Sequence, residues 1–164
     1  MENKFIIRSA KSNDIWNVYK LASGPDVRAV SFHQESINPE EHKIWYSNKL
    51  KDPKCLMYVI TNSQNQFIGN IRFDRSNNLE FTMSVLINFE FRGRGIGTQA
   101  IIRASRKILR TFPKCTIKAY ALESNIASQT SLQKAGFTIQ ESAGFHNRTY
   151  IAFSLNLDML NYLK

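Results

Sequence analysis

Apolar residues change their spacing several times along the chain, and each change marks an element. "KFIIR" (Lys4 to Arg8) reads as an opening strand. Ser12 then stands where a cap is wanted for a helical stretch whose inner side would be Ile15, Trp16, Val18, Tyr19 and Ala22, and "SGPD" breaks that helix. In "INPEEHKIWYSNKL", Asn38 suits an N-cap, Pro39 the first helical position, and Glu40 and Glu41 complement the positive end of the dipole. Ile44, Trp45 and Leu50 would face inward there, with His42 near the N-terminal end. From Leu56 the period shortens: "LMYVITN", "FIGNIRF" and "LEFTMSVLI", joined by the polar turns "SQNQ" and "DRSNN", predict an antiparallel meander.

A helix follows from about Gly97 to Phe112, where Ala100, Ile101, Ala104, Ile108 and Leu109 form one apolar stripe, and Pro113 ends it. "CTIKAYAL" predicts a strand, "NIASQTSLQKA" a helix closed by Gly136, and "FTIQE" and "RTYIAFSLNL" two final strands. No repeat, linker or low-complexity segment interrupts this order. The succession β-α-α-β-β-β-α-β-α-β-β predicts an α/β fold in a single domain over residues 1–164. Its central sheet would be mixed but mostly antiparallel and flanked by helices, with right-handed β-α-β connections in the second half.

Composition narrows the picture. With 164 residues, 43% hydrophobic and 21% charged, the chain suits one soluble domain. It has no run of about 18 apolar residues, and "MENKFIIRSAKSND" turns polar at once, so a cytoplasmic location is expected. Cys55 and Cys115 are isolated and lack metal-ligand spacing, which predicts reduced thiols beside strands and no metal site. A net charge of +9 points to an anionic partner: nucleic acid, a membrane surface or a phosphate-bearing cofactor. The basic stripe Arg103, Arg106, Lys107 and Arg110 lies opposite the apolar one and reads as solvated surface, so neither nucleic acid nor a membrane is expected as partner.

The phosphate reading has a specific candidate. In "EFRGRGIGTQAI" (Glu90 to Ile101) a strand ends and a helix begins, leaving unpaired amides at the helix start. Gly93, Gly95 and Gly97 would let an anion approach that backbone, and Arg92 and Arg94 add charge. The spacing lacks the Lys-Ser/Thr of a P-loop and the downstream acid of a dinucleotide fold.

The run Arg92-Gly93-Arg94-Gly95-Ile96-Gly97 does resemble the pyrophosphate motif Arg/Gln-x-x-Gly-x-Gly/Ala of the GNAT superfamily of acetyl-CoA-dependent acetyltransferases. "NIASQTSLQKAGF" (Asn125 to Phe137) is similar to that family's second cofactor segment, through Asn125, Ser128, Lys134, Gly136 and Phe137. The resemblance covers Lys4 to Leu157 and implies a GNAT fold with acetyl-CoA as acetyl donor. By it, the strand edge at Leu86, Ile87 and Asn88 would hold the pantetheine arm, and one N–H near Leu86 or Ile87 would polarise the thioester carbonyl. The amides from Arg92 through Gly93, Arg94, Gly95, Ile96 and Gly97 to Thr98 would bind the pyrophosphate, with Asn125 and Ser128 on the other side.

An amine acceptor is an ammonium ion near pH 7, so a proton must leave it and another may be needed by the departing thiolate. The tyrosine that many family members place seven residues after the Asn125 position is here Leu132, which leaves Ser131, Ser128 and Tyr120 as candidates. "DVRAVSFHQESINPEEHKIWYSNKL" resembles a subgroup that acetylates the 4-amino group of nucleotide-linked amino sugars in nonulosonic (pseudaminic/legionaminic-type) acid pathways. The matching elements are Asp26-Val27-Arg28, Ser31-Phe32, Ile37, Glu41-His42, Trp45 and "IGNIRFD". On that resemblance Arg28 or Arg72 would meet a nucleotide phosphate, and Phe32, Trp45 and Tyr46 would offer apolar faces. His42 would be a base near neutrality or else order a loop; Glu80 would take a proton through water or else be a solvated charge. Two other readings stand beside this one, a protein N-terminal acetyltransferase of ribosomal-protein type and a non-catalytic acyl-CoA- or nucleic-acid-binding module. A monomer or homodimer is expected.

Overall fold

Among the described residues seven strands form: β1 (Phe5–Ser9), β2 (Cys55–Asn62), β3 (Phe67–Asn77), β4 (Glu80–Ile87), β5 (Thr116–Leu122), β6 (Thr138–Phe145) and β7 (Arg148–Leu155). In the computed structural model of the chain, which describes residues 4–145 and 147–162, they make one sheet in the order β1-β2-β3-β4-β5-β7-β6. The outermost residues of the expected 1–164 domain therefore lie outside the described residues. Neighbouring strands are antiparallel except β4 and β5, which run parallel. The helices are α1 (Ile15–Ser23), α2 (Pro25–Ala29), α3 (Pro39–Lys51), α4 (Ile96–Thr111), α5 (Ile126–Lys134) and α6 (Leu157–Asn161).

The expected α/β architecture stands, and the differences have local causes. Ser12 does not cap α1: it opens a 3-10 turn, Ser12–Asp14, held by Asp14. That buried carboxylate receives the Lys11 amide at 2.8 Å and a two-pronged pair from Arg8 at 2.7 Å. Burial alone would raise the Asp14 pKa, but Arg8 and the Lys11 amide hold it below the ordinary carboxylate value. "SGPD" is a break and also a restart, because Pro25 occupies the first position of α2. The last strand stops at Leu155, and Asn156 caps α6 by accepting the Met159 amide at 2.9 Å.

Asn38 caps α3 as the sequence implies, its side-chain oxygen accepting from the amides of Glu40 and Glu41 at 2.9 and 3.2 Å. The inner face of α3 differs from the expected one. His42 and Tyr46, one turn apart, are buried, while Ile44 is 62% exposed. Tyr46 packs with Val18, Cys55 and Met57 and donates its hydroxyl to the Lys11 carbonyl at 2.8 Å, so an amphipathic ring takes the place an aliphatic residue was expected to fill.

On the other sheet face lies the main core: Ile71, Phe73, Phe81, Ile117 and Phe153 against Ile101, Ile108, Leu109 and Leu132. All five residues of the predicted α4 stripe are buried. Two members of the basic stripe are less free than expected, because Arg103 sits 4.4 Å from the Phe5 ring centroid and Lys107 5.0 Å from that of Tyr58. Their aliphatic stems thus cover apolar surface. Cys55 and Cys115 are buried and unpaired, and burial, with the charge of Asp74, pushes the Cys55 thiol up to about 11.

β3 and β4 approach so closely at Gly69 that an added Cβ would collide with the Leu86 carbonyl oxygen, an atom of the backbone. Gly69→Ala is therefore expected to lower stability by about 1–3 kcal/mol, the usual cost of overpacking. Urea unfolding would show this as an earlier midpoint.

Candidate active site

β4 and β5 are paired only from Glu80/Thr116 to Met83/Ala119. Beyond that point β4 stays with β3 as far as Ile87, while β5 stays with β7 as far as Leu122, and the two parallel strands part. The Asn88 amide donates to the Ile68 carbonyl at 2.8 Å. Strand alternation then turns the amides of Leu86 and Asn88 toward β3 and those of Val85 and Ile87 toward the opening. Of the edge residues expected from sequence, Ile87 faces the gap, Leu86 and Asn88 spend their amides within the sheet, and Val85 joins the site unforeseen. Asn88 instead organises the following turn, its side chain accepting from the Glu90 amide at 3.4 Å.

Two helices begin at the carboxyl ends of these strands, where sheets with parallel strands hold their ligands. α4 starts at Ile96, and its first backbone bond runs from Gln99 N to Gly95 O at 3.0 Å. Ile96, Gly97 and Thr98 therefore have no acceptor for their amides within the helix, and no side chain caps it. Gly93 and Gly95 have φ of +73° and +75°, and the space above both Cα atoms is open. Such a cradle could hold a pyrophosphate: it has a positive dipole end, amides without intrahelical acceptors, and open space over Gly93 and Gly95. The Ile96 side chain is core, so it contributes only its amide.

The arginines behave differently from the expectation. The Arg92 amide donates to Phe89 O at 3.1 Å; its side chain turns back, donating to the Ile87 carbonyl at 2.8 Å and pairing with Asp26 at 2.7 Å. Arg92 thus braces the loop against β4 and α2. Arg94 lies 5.7 Å from the Phe91 ring centroid. At the second helix, the Asn125 side chain accepts the Ser128 amide at 3.2 Å, the N-cap of α5.

The sheet face covered by α1 to α3 carries Ser84 on β4 and Tyr120 on β5, both exposed beside the gap. The expected proton carriers are not brought to it. Glu80 stands at the closed end of β4, five residues or about 16 Å from Val85, paired with Lys118 at 3.0 Å and accepting from Ser76 at 3.2 Å. His42 is 4% exposed and packed among Tyr19, Trp45 and Tyr46 between α1 and α3. Burial lowers its pKa, opposed by a hydrogen bond with the Ile15 backbone. Ser131 is half-buried on α5, next to Leu132, which is fully within the core.

The expected acceptor residues divide into two groups. Trp45 and Arg72 meet, the guanidinium 5.0 Å from the ring, but Arg72 and Lys49 both pair with Asp74 at 2.6 Å and tie α3 to β3. Arg28 and Phe32 lie elsewhere, on α2 and the segment after it. Burial pulls the Arg28 guanidinium below its ordinary value against the opposing charge of Glu35. Phe32 stacks on Tyr150 with centroids 3.9 Å apart and stands 6.0 Å from Tyr120, edge to face. Arg148 reaches the same segment, donating to the Ala29 carbonyl at 3.1 Å. Sequence reasoning missed Arg148 and Tyr150, since no local signal links residues 119 positions apart. Among the described residues no group of His, Cys, Asp and Glu side chains could hold a metal ion, and no helix is long and apolar enough to cross a membrane.

Comparison with known proteins bears on this arrangement. The sequence profile described as "Acetyltransferase (GNAT) domain" matches residues 4–138. No curated protein matches the chain. Among solved structures, spermidine N-acetyltransferase from Vibrio cholerae in complex with CoA and spermine superposes with a TM-score of 0.84 at 15% identity, covering 96% of this chain and 98% of that one. A domain from Methanocaldococcus jannaschii gives 0.80 at 22% identity, covering 94% and 99%. At these identities the likeness speaks to the fold. The Vibrio cholerae enzyme also has a dodecameric structure in an intermediate state (TM-score 0.78, 16% identity, covering 98% and 97%). That overturns the expectation of a monomer or homodimer, because a fold assembled into a dodecamer elsewhere sets no limit of two.

Two measurements test the site. Gly95→Val places a β-branched residue at φ +75°, a strain of about 1–2 kcal/mol, and puts a side chain over the cradle. Calorimetry should show acetyl-CoA affinity falling at least about tenfold with a melting shift of only a few degrees; unchanged affinity would mean the loop is no cradle. For His42, the unfolded chain takes up a proton below about pH 6.5 that the enclosed ring resists. Stability is thus expected to fall as pH drops through that value, and His42→Gln to remove that part of the slope while leaving the pH dependence of kcat unmoved.

Proposed function

The chain belongs to the acetyltransferase (GNAT) domain family, and on that premise we propose that its acceptor is an anionic small molecule, a nucleotide-linked amino sugar. The coarser activity is that of the family: acetyl-CoA-dependent transfer of an acetyl group to a primary amine. The amides of Ile96, Gly97 and Thr98 hold the pyrophosphate of the donor, and those of Val85 and Ile87 hold its arm and polarise the carbonyl under attack. Acetyl-CoA supplies the activated acetyl group. The amine loses its proton to solvent or through water at Ser84, and Tyr120, exposed at the gap, is the side chain positioned to return a proton to the leaving sulfur.

One observation carries the choice of acceptor: the chain's charge of +9 is accompanied on the acceptor side by Arg28, whose Nε is buried without a partner among the described residues, and by the stacked rings of Phe32 and Tyr150. Such a field draws an anion in and resists a polycation. Aromatic faces and guanidinium groups suit a nucleotide and sugar better than a flexible aliphatic amine. A cytoplasmic setting accords with two buried unpaired thiols.

A polyamine acceptor is the second reading, favoured by the spermidine N-acetyltransferases among the fold relatives. Thiol release from acetyl-CoA over nucleotide-linked amino sugars, spermidine and N-terminal peptides separates the possibilities. The nucleotide-linked sugar should give the highest kcat/KM, falling as salt is added. A higher kcat/KM for spermidine or a peptide would reassign the acceptor, and no turnover of any amine would leave a binding module.

A further inference from the structure

We infer that Arg148 and Tyr150, together with Arg28, form a subsite for the phosphate groups of the acceptor, roofed by Phe32. The inference rests on the anionic-acceptor reading above and adds the residues that would read the anion.

Three buried donor atoms carried by two adjoining elements have no partner among the described residues: Arg28 Nε, Arg148 Nη1 and the Tyr150 hydroxyl. Tyr150 is 2% exposed, and its hydroxyl is enclosed without an acceptor among the described residues. Buried donors are normally satisfied, and three of them on segments joined by the Arg148–Ala29 and Phe32–Tyr150 contacts imply a missing acceptor. The elements are held in register from both sides. Arg148 Nη2 donates to the Ala29 carbonyl at 3.1 Å, fixing the guanidinium against the end of α2, and the Phe32 ring lies flat on Tyr150 at an interplanar angle of 4°. Arg148 and Tyr150, two positions apart on β7, share one sheet face.

The chemistry of the cluster selects its ligand. Two guanidinium groups and a phenol offer hydrogen bonds and positive charge, which suits a group with several acceptor oxygens and negative charge. Glu35 lies close enough to raise the Arg28 pKa and so compensates part of that charge. A phosphate or diphosphate fits, an ammonium group does not. Phe32 also stands edge to face with Tyr120 beside the β4–β5 gap, so the subsite adjoins the place where the amine must arrive. A nucleoside diphosphate anchored at Arg28, Arg148 and Tyr150 would extend its sugar toward that gap.

The test uses the full chain with CoA at saturation, so that the α4 cradle is filled, and UDP or ADP as probe in calorimetry. Wild type should bind one of them. Arg148→Ala should weaken that binding about tenfold or more, and Tyr150→Phe, which keeps the stacked ring, several-fold. Both should leave CoA affinity unchanged and raise KM for the acceptor with little change in kcat. Should Arg148→Ala not fold, Tyr150→Phe and Arg148→Lys carry the decision. Nucleotide binding unaltered in these variants, or sugar nucleotides acetylated without any nucleotide binding, would refute the subsite and leave the acceptor reading standing. No nucleotide binding together with preferred turnover of spermidine would remove both.

Discussion

Backbone amides inside a sheet must find acceptors, and between Ser84 and Ile87 one edge of β4 offers amides to a strand that has turned away. Everything at the donor site follows from that parting. The opening sits where the two parallel strands end, and the chain leaving each strand starts a helix whose N-terminus adjoins the same crevice. An extended arm laid in that gap would find the interrupted ladder open, with the unbonded amides at the start of α4 beyond it. Gly69 belongs to the same constraint: close approach of β3 keeps β4 rigid while β5 is absent.

Charge is distributed with similar economy on the other sheet face. Arg8 is consumed by Asp14 and Arg92 by Asp26, each pair linking two segments of the chain, while Asp74 takes both Arg72 on its own strand and Lys49 from α3. The pairs at Asp74 and Asp26 position their segments more than they stabilise the fold, since partly exposed ions gain little net energy. By contrast, Arg28, Arg148 and Tyr150 each keep a buried donor without a partner among the described residues.

Much of this architecture was legible along the chain. The apolar stripe of α4, the Asn38 cap and the strand-loop-helix order around Gly93 to Gly97 all depend on interactions within a few residues, and local periodicity reports those faithfully. Glu80 and His42 could not be judged in that way. A carboxylate at a strand start looks the same in sequence whether it faces a substrate or Lys118, and a histidine in a first helical turn gives no sign that three rings will enclose it.

The sequence by itself determined most of the elements and their order, and it carried the family's motif and a candidate cradle for a phosphate-bearing donor, because each depends on neighbours in the chain. Only the tertiary structure decided which amides face the gap, since direction along a strand depends on which neighbour a residue is paired with. It also decided which arginines were spent and which remained, and it alone brought Arg148 and Tyr150 to Phe32. Packing joins residues by position in space, and a separation of more than a hundred residues leaves no periodic trace for the sequence to carry.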